Sequence, residues 1–139
     1  MNINKNSSVR RNLRIALGIT FIFTGVLHFV VADKFMEIMP PALPWHLALV
    51  YISGVFEILG GVGFMMERTK RTAGIGLILL LIAVFPANIY AAINQVQVGG
   101  FMNLPIYHWI RLPMQFVLVA LVWWCSEFGA GEKEKENES

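Results

Sequence analysis

Five polar side chains of this sequence stand inside long apolar segments, where they could perform chemistry: His28, Glu57, Asn88, Arg111 and Gln115. Glu57 carries the strongest signal, because an isolated charge at the centre of a bilayer costs about 2.5–3.5 kcal/mol or more. A carboxylate in such a place is expected to face a helix interface or an internal cavity, where it is protonated or paired. Tyr51, in the same apolar segment as Glu57, offers a further hydroxyl.

Arg111 is the basic residue placed within an apolar run, and it is the natural candidate partner for Glu57. Its planar guanidinium suits bidentate pairing with a carboxylate. The predicted depths of the two residues differ by roughly 10 Å along the membrane normal. The sequence therefore leaves three arrangements open: a direct pair, a pair bridged by Gln115, Tyr51 or a water, and pairing of Arg111 with acidic residues that follow the first apolar run.

The elements that must position these residues are transmembrane helices. The 139-residue chain is 56% hydrophobic and 14% charged, with a mean hydropathy of +0.60, which is typical of an integral membrane protein. Runs of about 19–22 apolar residues cross the ~30 Å hydrocarbon core as helices. The prediction is an all-α bundle of four transmembrane helices, at residues 13–31, 46–66, 72–93 and 107–126.

Charge distribution predicts the orientation and the domain limits. Basic residues concentrate in the N-terminal segment, between the second and third apolar runs, and in the C-terminal segment. The positive-inside rule then places both termini in the cytoplasm, in a multi-pass protein of the cytoplasmic membrane. We expect a basic cytoplasmic tail at 1–12, a four-helix domain at 13–127, and a disordered acidic tail at 128–139.

Composition also excludes several functional classes. The net charge of +2 and the lack of a basic stripe give no basis for nucleic-acid binding. A lone cysteine, Cys125, excludes an internal disulfide and dithiol chemistry. Imidazole is a common haem ligand, but His28, His46 and His108 have no ligand-like spacing, and the last two are interpreted as membrane-interface residues. The sequence therefore predicts neither an intrinsic metal site nor a haem.

Prolines and glycines in the apolar runs indicate how the helices bend and pack. Pro86 and Pro113 are expected to kink the third and fourth helices, although Pro113 could instead mark the start of the fourth. Gly54, Gly60 and Gly61 lie near the face of Glu57 and predict a close approach by another helix. That helix belongs either to this chain or to a partner protein, which would make the protein a membrane scaffold or assembly factor.

Several segments together resemble the DoxX family of four-helix membrane proteins: GVLHF, IMPPALPW, LVYISGVFEILGGVGF, AVFPANIYAA and RLPMQ. The likeness covers about residues 13–127, and the five polar positions fall within these segments. The resemblance implies a redox-associated membrane subunit that is not catalytic alone. Such a subunit holds a quinone head group or anchors a membrane redox partner, with the electron-carrying cofactor elsewhere.

Two interpretations of the polar residues remain open from the sequence. In the first, they form a buried network that fixes how the four helices pack. In the second, they line a pocket open to the outer side of the membrane, where a small polar head group binds. A permeation pathway for a small solute is a third reading, which the small volume enclosed by four helices disfavours.

Overall fold

The computed structural model describes residues 2–96 and 105–127, and this part of the chain contains helices and no strand. The helices are α1 (Asn2–Val30), α2 (Ala32–Glu37), α3 (His46–Met65), α4 (Lys70–Ile93) and α5 (Pro105–Ser126). Four of them, α1, α3, α4 and α5, are long and apolar enough to cross a membrane. The prediction of an all-α multi-pass membrane protein is therefore confirmed. The acidic tail predicted at 128–139 lies outside the described residues.

The first helix begins much earlier than the sequence analysis predicted. The first helix was predicted to begin near residue 13, but α1 runs from Asn2 and its candidate spanning segment starts at Lys5; that residues 1–12 lie in the cytoplasm stays a prediction. The physical reason is that basic residues near its start find partners within the bundle. Arg14 is almost fully buried, with 1% of its surface exposed, and it bonds to Glu67. The basic segment is thus a continuation of the first spanning helix.

Glycines allow α1 and α3 to pack backbone against backbone. Gly18 and Gly25 of α1 lie opposite Gly61 and Gly54 of α3. A Cβ added to Gly61 would lie 2.7 Å from the carbonyl oxygen of Gly18, and one added to Gly54 would lie 2.9 Å from that of Gly25. The pairing of an early glycine with a late one shows that the two helices run antiparallel. The contact is a two-point glycine seam inside one chain.

Gly60 faces a different neighbour. A Cβ at this position would lie 2.6 Å from Cδ2 of Leu77 on α4. The glycines predicted to form one close-packing face, Gly54, Gly60 and Gly61, are therefore divided between α1 and α4. Helices of this same chain occupy that face, so it is not free to receive a partner's helix.

The bundle closes as a ring in which α3 packs between α1 and α4, and α5 packs between α4 and α1. We call the end where α1 begins and α5 ends the terminus end, and the opposite end the α2 end. The half nearer the terminus end is filled by an apolar core, formed by Leu17, Phe21, Phe64, Leu77, Leu81, Val122 and Cys125. The half nearer the α2 end contains a cavity.

Ion pairs tie the helices together at the terminus end. Lys70 contacts both Glu67, at 2.8 Å, and Glu127. Arg14 contacts Glu67, and Arg10 lies 3.8 Å from Glu127. Hydrogen bonds from Lys70 and then from Arg14 hold the pKa of the Glu67 carboxyl below its usual value. This network was missed by the sequence analysis, which used the basic residues only to predict orientation.

Candidate ligand-binding cavity

A cavity of about 1050 Å³ occupies the half of the bundle nearer the α2 end. All four spanning helices contribute to its walls, together with α2 and the segment that follows it. Its lining is mainly apolar, with a small set of polar side chains. That set contains five residues singled out from the sequence: His28, Glu57, Asn88, Arg111 and Gln115.

Glu57 is held by two residues of α1. The Thr24 hydroxyl donates a hydrogen bond of 2.9 Å to Oε1 of Glu57, and Nδ1 of His28 lies 3.1 Å from Oε2. Thr24 and His28 are four residues apart, so they share one face of α1. The glycine seam brings this face close enough, since a Cβ on Gly54 would lie 2.8 Å from Cβ of His28. Glycine packing thus positions the polar cluster.

The surroundings of His28 define its tautomer and its orientation. Nδ1 also lies 2.8 Å from the carbonyl oxygen of Thr24. A carbonyl oxygen and an ionised carboxylate only accept hydrogen bonds, so Nδ1 carries a proton. The ring stacks on Phe35 of α2, with the centroids 3.9 Å apart and the planes at 18°. α2 therefore covers the cluster and fixes the imidazole plane.

Arg111 lines the same cavity as Glu57, but it is not a direct partner of the carboxylate. Within the described part of the chain, its guanidinium makes no hydrogen bond or ion pair, although the two charges are close enough to interact electrostatically. Of the arrangements left open by the sequence, the described contacts contain no direct Glu57–Arg111 pair. Thr24 and His28 take that place. Their common helix face was the signal that could have predicted it.

Asn88 and Gln115 form a second polar group, which joins α4 to α5. Nδ2 of Asn88 donates a hydrogen bond of 2.6 Å to Oε1 of Gln115, and Nε2 of Gln115 donates to the carbonyl of Leu81. Both side chains are buried, at 7% and 6% exposed. Pro86 cannot donate to the carbonyl of Ile82, the residue after Leu81. The network joins α4 to α5 beside the proline, and the described contacts of Gln115 do not bridge Glu57 to Arg111.

The two prolines predicted to mark kinks both lie inside continuous helices. Pro86 falls within α4, and Pro113 falls within α5. Because α5 begins at Pro105, Pro113 does not mark the start of that helix. The first helical position suits Pro105, where a missing N–H removes no hydrogen bond. That Pro86 and Pro113 bend their helices stays a prediction.

Tyr51, which the sequence analysis included in the polar pocket, lies elsewhere. Its ring stacks on Phe29 of α1 at 5.1 Å, it is 39% exposed, and it does not line the cavity. The reason is rotation along α3, because six residues place Tyr51 roughly 120° round the helix from Glu57. Tyr51 is therefore part of the outer surface of the α1–α3 pair.

The remaining histidines are separate from the cavity cluster. Nε2 of His46 lies 3.1 Å from the carbonyl of Pro40, and Nε2 of His108 lies 2.9 Å from that of Val96. Only 2% of His108 is exposed, and its interpretation as a membrane-interface residue stays a prediction. Among the residues that the structure describes, no group of three or more His, Cys, Asp or Glu could hold a metal ion.

These features define a class: a polytopic helical membrane protein with an internal cavity whose wall contains a partly buried carboxylate–imidazole pair. The chain belongs to the family described as a domain of unknown function, DUF8561, which matches residues 17–126. The matched segment includes every residue that lines the cavity. The chain has no significant match among curated proteins or among solved structures. The resemblance to the DoxX family stays a prediction.

Proposed function

We propose that this protein binds a membrane-soluble quinone in its cavity and serves as a quinone-binding membrane subunit for a redox partner protein. The observation that carries the proposal is the cavity itself, which joins extended apolar walls to a few polar groups. Its volume of about 1050 Å³ lies at the upper end of the range for small-molecule sites. A membrane quinone likewise combines a small polar part, the two carbonyls of its ring, with a long apolar tail.

Arg111 supplies the polar recognition. A guanidinium only donates hydrogen bonds, and a quinone carbonyl only accepts them. Arg111 is partly buried at the cavity wall and no described hydrogen bond engages its guanidinium, and a polar group that is removed from water without a hydrogen bond carries a penalty. A carbonyl oxygen beside the guanidinium relieves that penalty. Asn88, which lines the same cavity, is the candidate donor for another orientation of the ring, whereas the Nδ1–H of His28 is engaged by the Thr24 carbonyl.

The apolar walls supply the site for the tail. Leu17, Phe21, Leu80 and Leu118 line the deeper part of the cavity, next to the apolar core. Because that core fills the bundle towards the terminus end, the described residues favour a closed binding site over a permeation pathway. The scaffold alternative loses its basis in the sequence, since the α3 glycines contact helices of this chain.

Under the predicted orientation, the α2 end lies on the outer side of the cytoplasmic membrane. The quinone head group would then reside in the outer half of the bilayer, below α2. An electron-carrying partner would dock at that side. This arrangement assigns binding to the present chain and electron transfer to the partner.

The proposal is tested first by what the protein carries from native membranes. We expect lipid mass spectrometry of the protein, purified in mild detergent, to detect a quinone in near-stoichiometric amount. In nanodiscs, a benzoquinone with a decyl tail should bind saturably. Arg111→Gln should weaken binding about tenfold or more, because a hydrogen bond to a charged group contributes about 1.5–3 kcal/mol.

The matched control is Arg71→Gln, which removes an exposed arginine that does not line the cavity. It should bind the decyl benzoquinone like the unaltered protein. The absence of both a co-purified quinone and saturable binding would refute the proposed function. If Arg111→Gln and Arg71→Gln weakened benzoquinone binding equally, Arg111 would have no specific role in binding the quinone.

A further inference from the structure

One oxygen of the Glu57 carboxylate has unused hydrogen-bonding capacity. Oε1 accepts a hydrogen bond from Thr24, whereas Oε2 is buried and accepts none from the described residues. The nearest described donor to Oε2 is Nδ1 of His28 at 3.1 Å, whose geometry instead favours the Thr24 carbonyl. Buried polar atoms are normally satisfied, so this oxygen is suited to a donor supplied from the cavity.

The cavity therefore presents two opposite kinds of polar group. Arg111 can only donate hydrogen bonds, and an ionised Glu57 can only accept them. Both line the cavity, and no described contact joins them directly. The one described hydrogen bond to the Glu57 carboxylate comes from the Thr24 hydroxyl, at Oε1, so Oε2 is left to accept from a ligand. A ligand that satisfies both sides must accept at one end and donate at the other.

A quinone and its reduced form differ in this respect. Both oxygens of a quinone are acceptors, so an oxygen placed against a carboxylate is repelled. Each oxygen of a hydroquinone carries an O–H group, which can donate to a carboxylate while the other oxygen still accepts from a guanidinium. The hydrogen bond to an ionised acceptor is of the stronger, charge-assisted kind.

We propose that the cavity binds a hydroquinone more tightly than the corresponding quinone. Glu57 sets this preference because its carboxylate accepts a hydrogen bond from a hydroxyl group of the hydroquinone. The inference rests on the proposed function and assigns the redox form that the site retains. By linkage, a tenfold preference for the reduced form raises the reduction potential of the bound couple by about 30 mV.

The test compares three probes in nanodiscs under anaerobic conditions: a decyl benzoquinone, its hydroquinone, and the dimethyl ether of that hydroquinone. The ether keeps both oxygens and lacks both O–H groups. The unaltered protein should bind the hydroquinone about tenfold or more tighter than either other probe, which corresponds to one charge-assisted hydrogen bond. The comparison of the hydroquinone with its dimethyl ether uses only the unaltered protein, so its result does not depend on whether a variant folds.

Glu57→Gln should bring the affinities for hydroquinone and quinone to within about threefold of each other, because an amide both donates and accepts. Glu37→Gln is the control, since Glu37 is an exposed residue of α2 that does not line the cavity. It should keep the preference. Circular dichroism and thermal midpoints confirm that both variants are folded.

Each outcome decides between the two proposals. Equal or tighter binding of the quinone by the unaltered protein would overturn the preference and leave quinone binding in place. Equal binding of ether and hydroquinone would overturn the role of the hydroxyl. Failure of every probe to bind would instead refute the proposed function on which this inference rests.

Discussion

The glycine seam between α1 and α3 allows a sharp test of how this bundle is held together. The substitution is Gly61→Ala, which adds a single methyl group at the seam. The added Cβ would lie 2.7 Å from the carbonyl oxygen of Gly18, 2.9 Å from Cγ1 of Ile22 and 3.2 Å from its backbone nitrogen. Two of these three atoms belong to the backbone, so the helices must separate to make room.

The size of the effect follows from two opposing contributions. Forcing extra volume into a packed interface costs about 1–3 kcal/mol. Alanine is better than glycine inside a helix by roughly 0.5–1 kcal/mol. The free energy of unfolding should therefore fall by about 1–2 kcal/mol for Gly61→Ala. Gly60→Ala should be milder, because its Cβ would meet only the side chain of Leu77.

Gly76→Ala on α4 is the matched control, since nothing lies within 4 Å of the Cβ it would add. It should leave stability unchanged or raise it by up to about 1 kcal/mol through helix propensity. The assay is reversible unfolding in mixed micelles with increasing dodecyl sulfate, followed by circular dichroism. Equal stability of Gly61→Ala and Gly76→Ala would refute the seam as a close contact within one chain.

Two further changes test the ion pairs at the terminus end and the hydrogen bonds between Asn88 and Gln115 at the cavity. Glu67→Gln should reduce the loss of stability that the protein shows as the pH falls below about 4.3. The lowered pKa of Glu67 in the folded state stabilises the fold above that pH, and this contribution is lost as the pH falls through the pKa of the folded state. The change in the free energy of unfolding should stay below about 1 kcal/mol, because the Glu67 side chain is 64% exposed. Thermal unfolding between about pH 3 and 7 measures it, and the same pH dependence in the variant and the unaltered protein would contradict the prediction. Gln115→Leu should lower the free energy of unfolding by about 1–2 kcal/mol, because it removes the hydrogen bond to the Leu81 carbonyl and leaves the buried Asn88 amide without its described partner. Val117→Leu, a change on the exposed face of the same helix, should leave the free energy of unfolding unchanged. Equal losses of stability by the two variants in dodecyl sulfate titrations would contradict a stabilising role for the hydrogen bonds of Gln115.

The packing of the bundle and the chemistry of its cavity are connected through α1. The same glycine contacts that hold α1 against α3 carry Thr24 and His28 to Glu57. A change at Gly54 would therefore disturb ligand binding as well as stability, because the space it leaves is adjacent to the His28 side chain. The contacts of Thr24 and His28 with Glu57 therefore depend on the close packing of α1 against α3.

At the terminus end, the ion pairs have a different role from the cavity residues. Lys70 joins Glu67, within the α3–α4 connection, to Glu127, the residue after α5. Arg10 also contacts the ring of Trp124, at 4.8 Å from its centroid. These contacts lie beyond the apolar core, on the far side from the cavity. They fasten the helix ends without forming part of the candidate site.

Local patterns in the sequence determined the number and type of the spanning helices. Helix formation in a bilayer depends on the length of an apolar run, because every backbone polar group must bond within its own segment. The same reasoning identified Glu57, Arg111 and the other polar residues as interior groups, and the cavity contains them. The start of α1 was placed too late, because its basic residues look like a tail until their carboxylate partners are known.

Only the tertiary structure decided which of these groups meet. Contact between two side chains depends on the rotation of each helix about its axis and on a few ångströms of depth, and neither is encoded in the hydropathy of a single segment. Glu57 met Thr24 and His28 rather than Arg111 because α1 approaches α3 through paired glycines. Tyr51 turned outward for the same geometric reason, and Arg111 was left facing a cavity in which a ligand can be its partner.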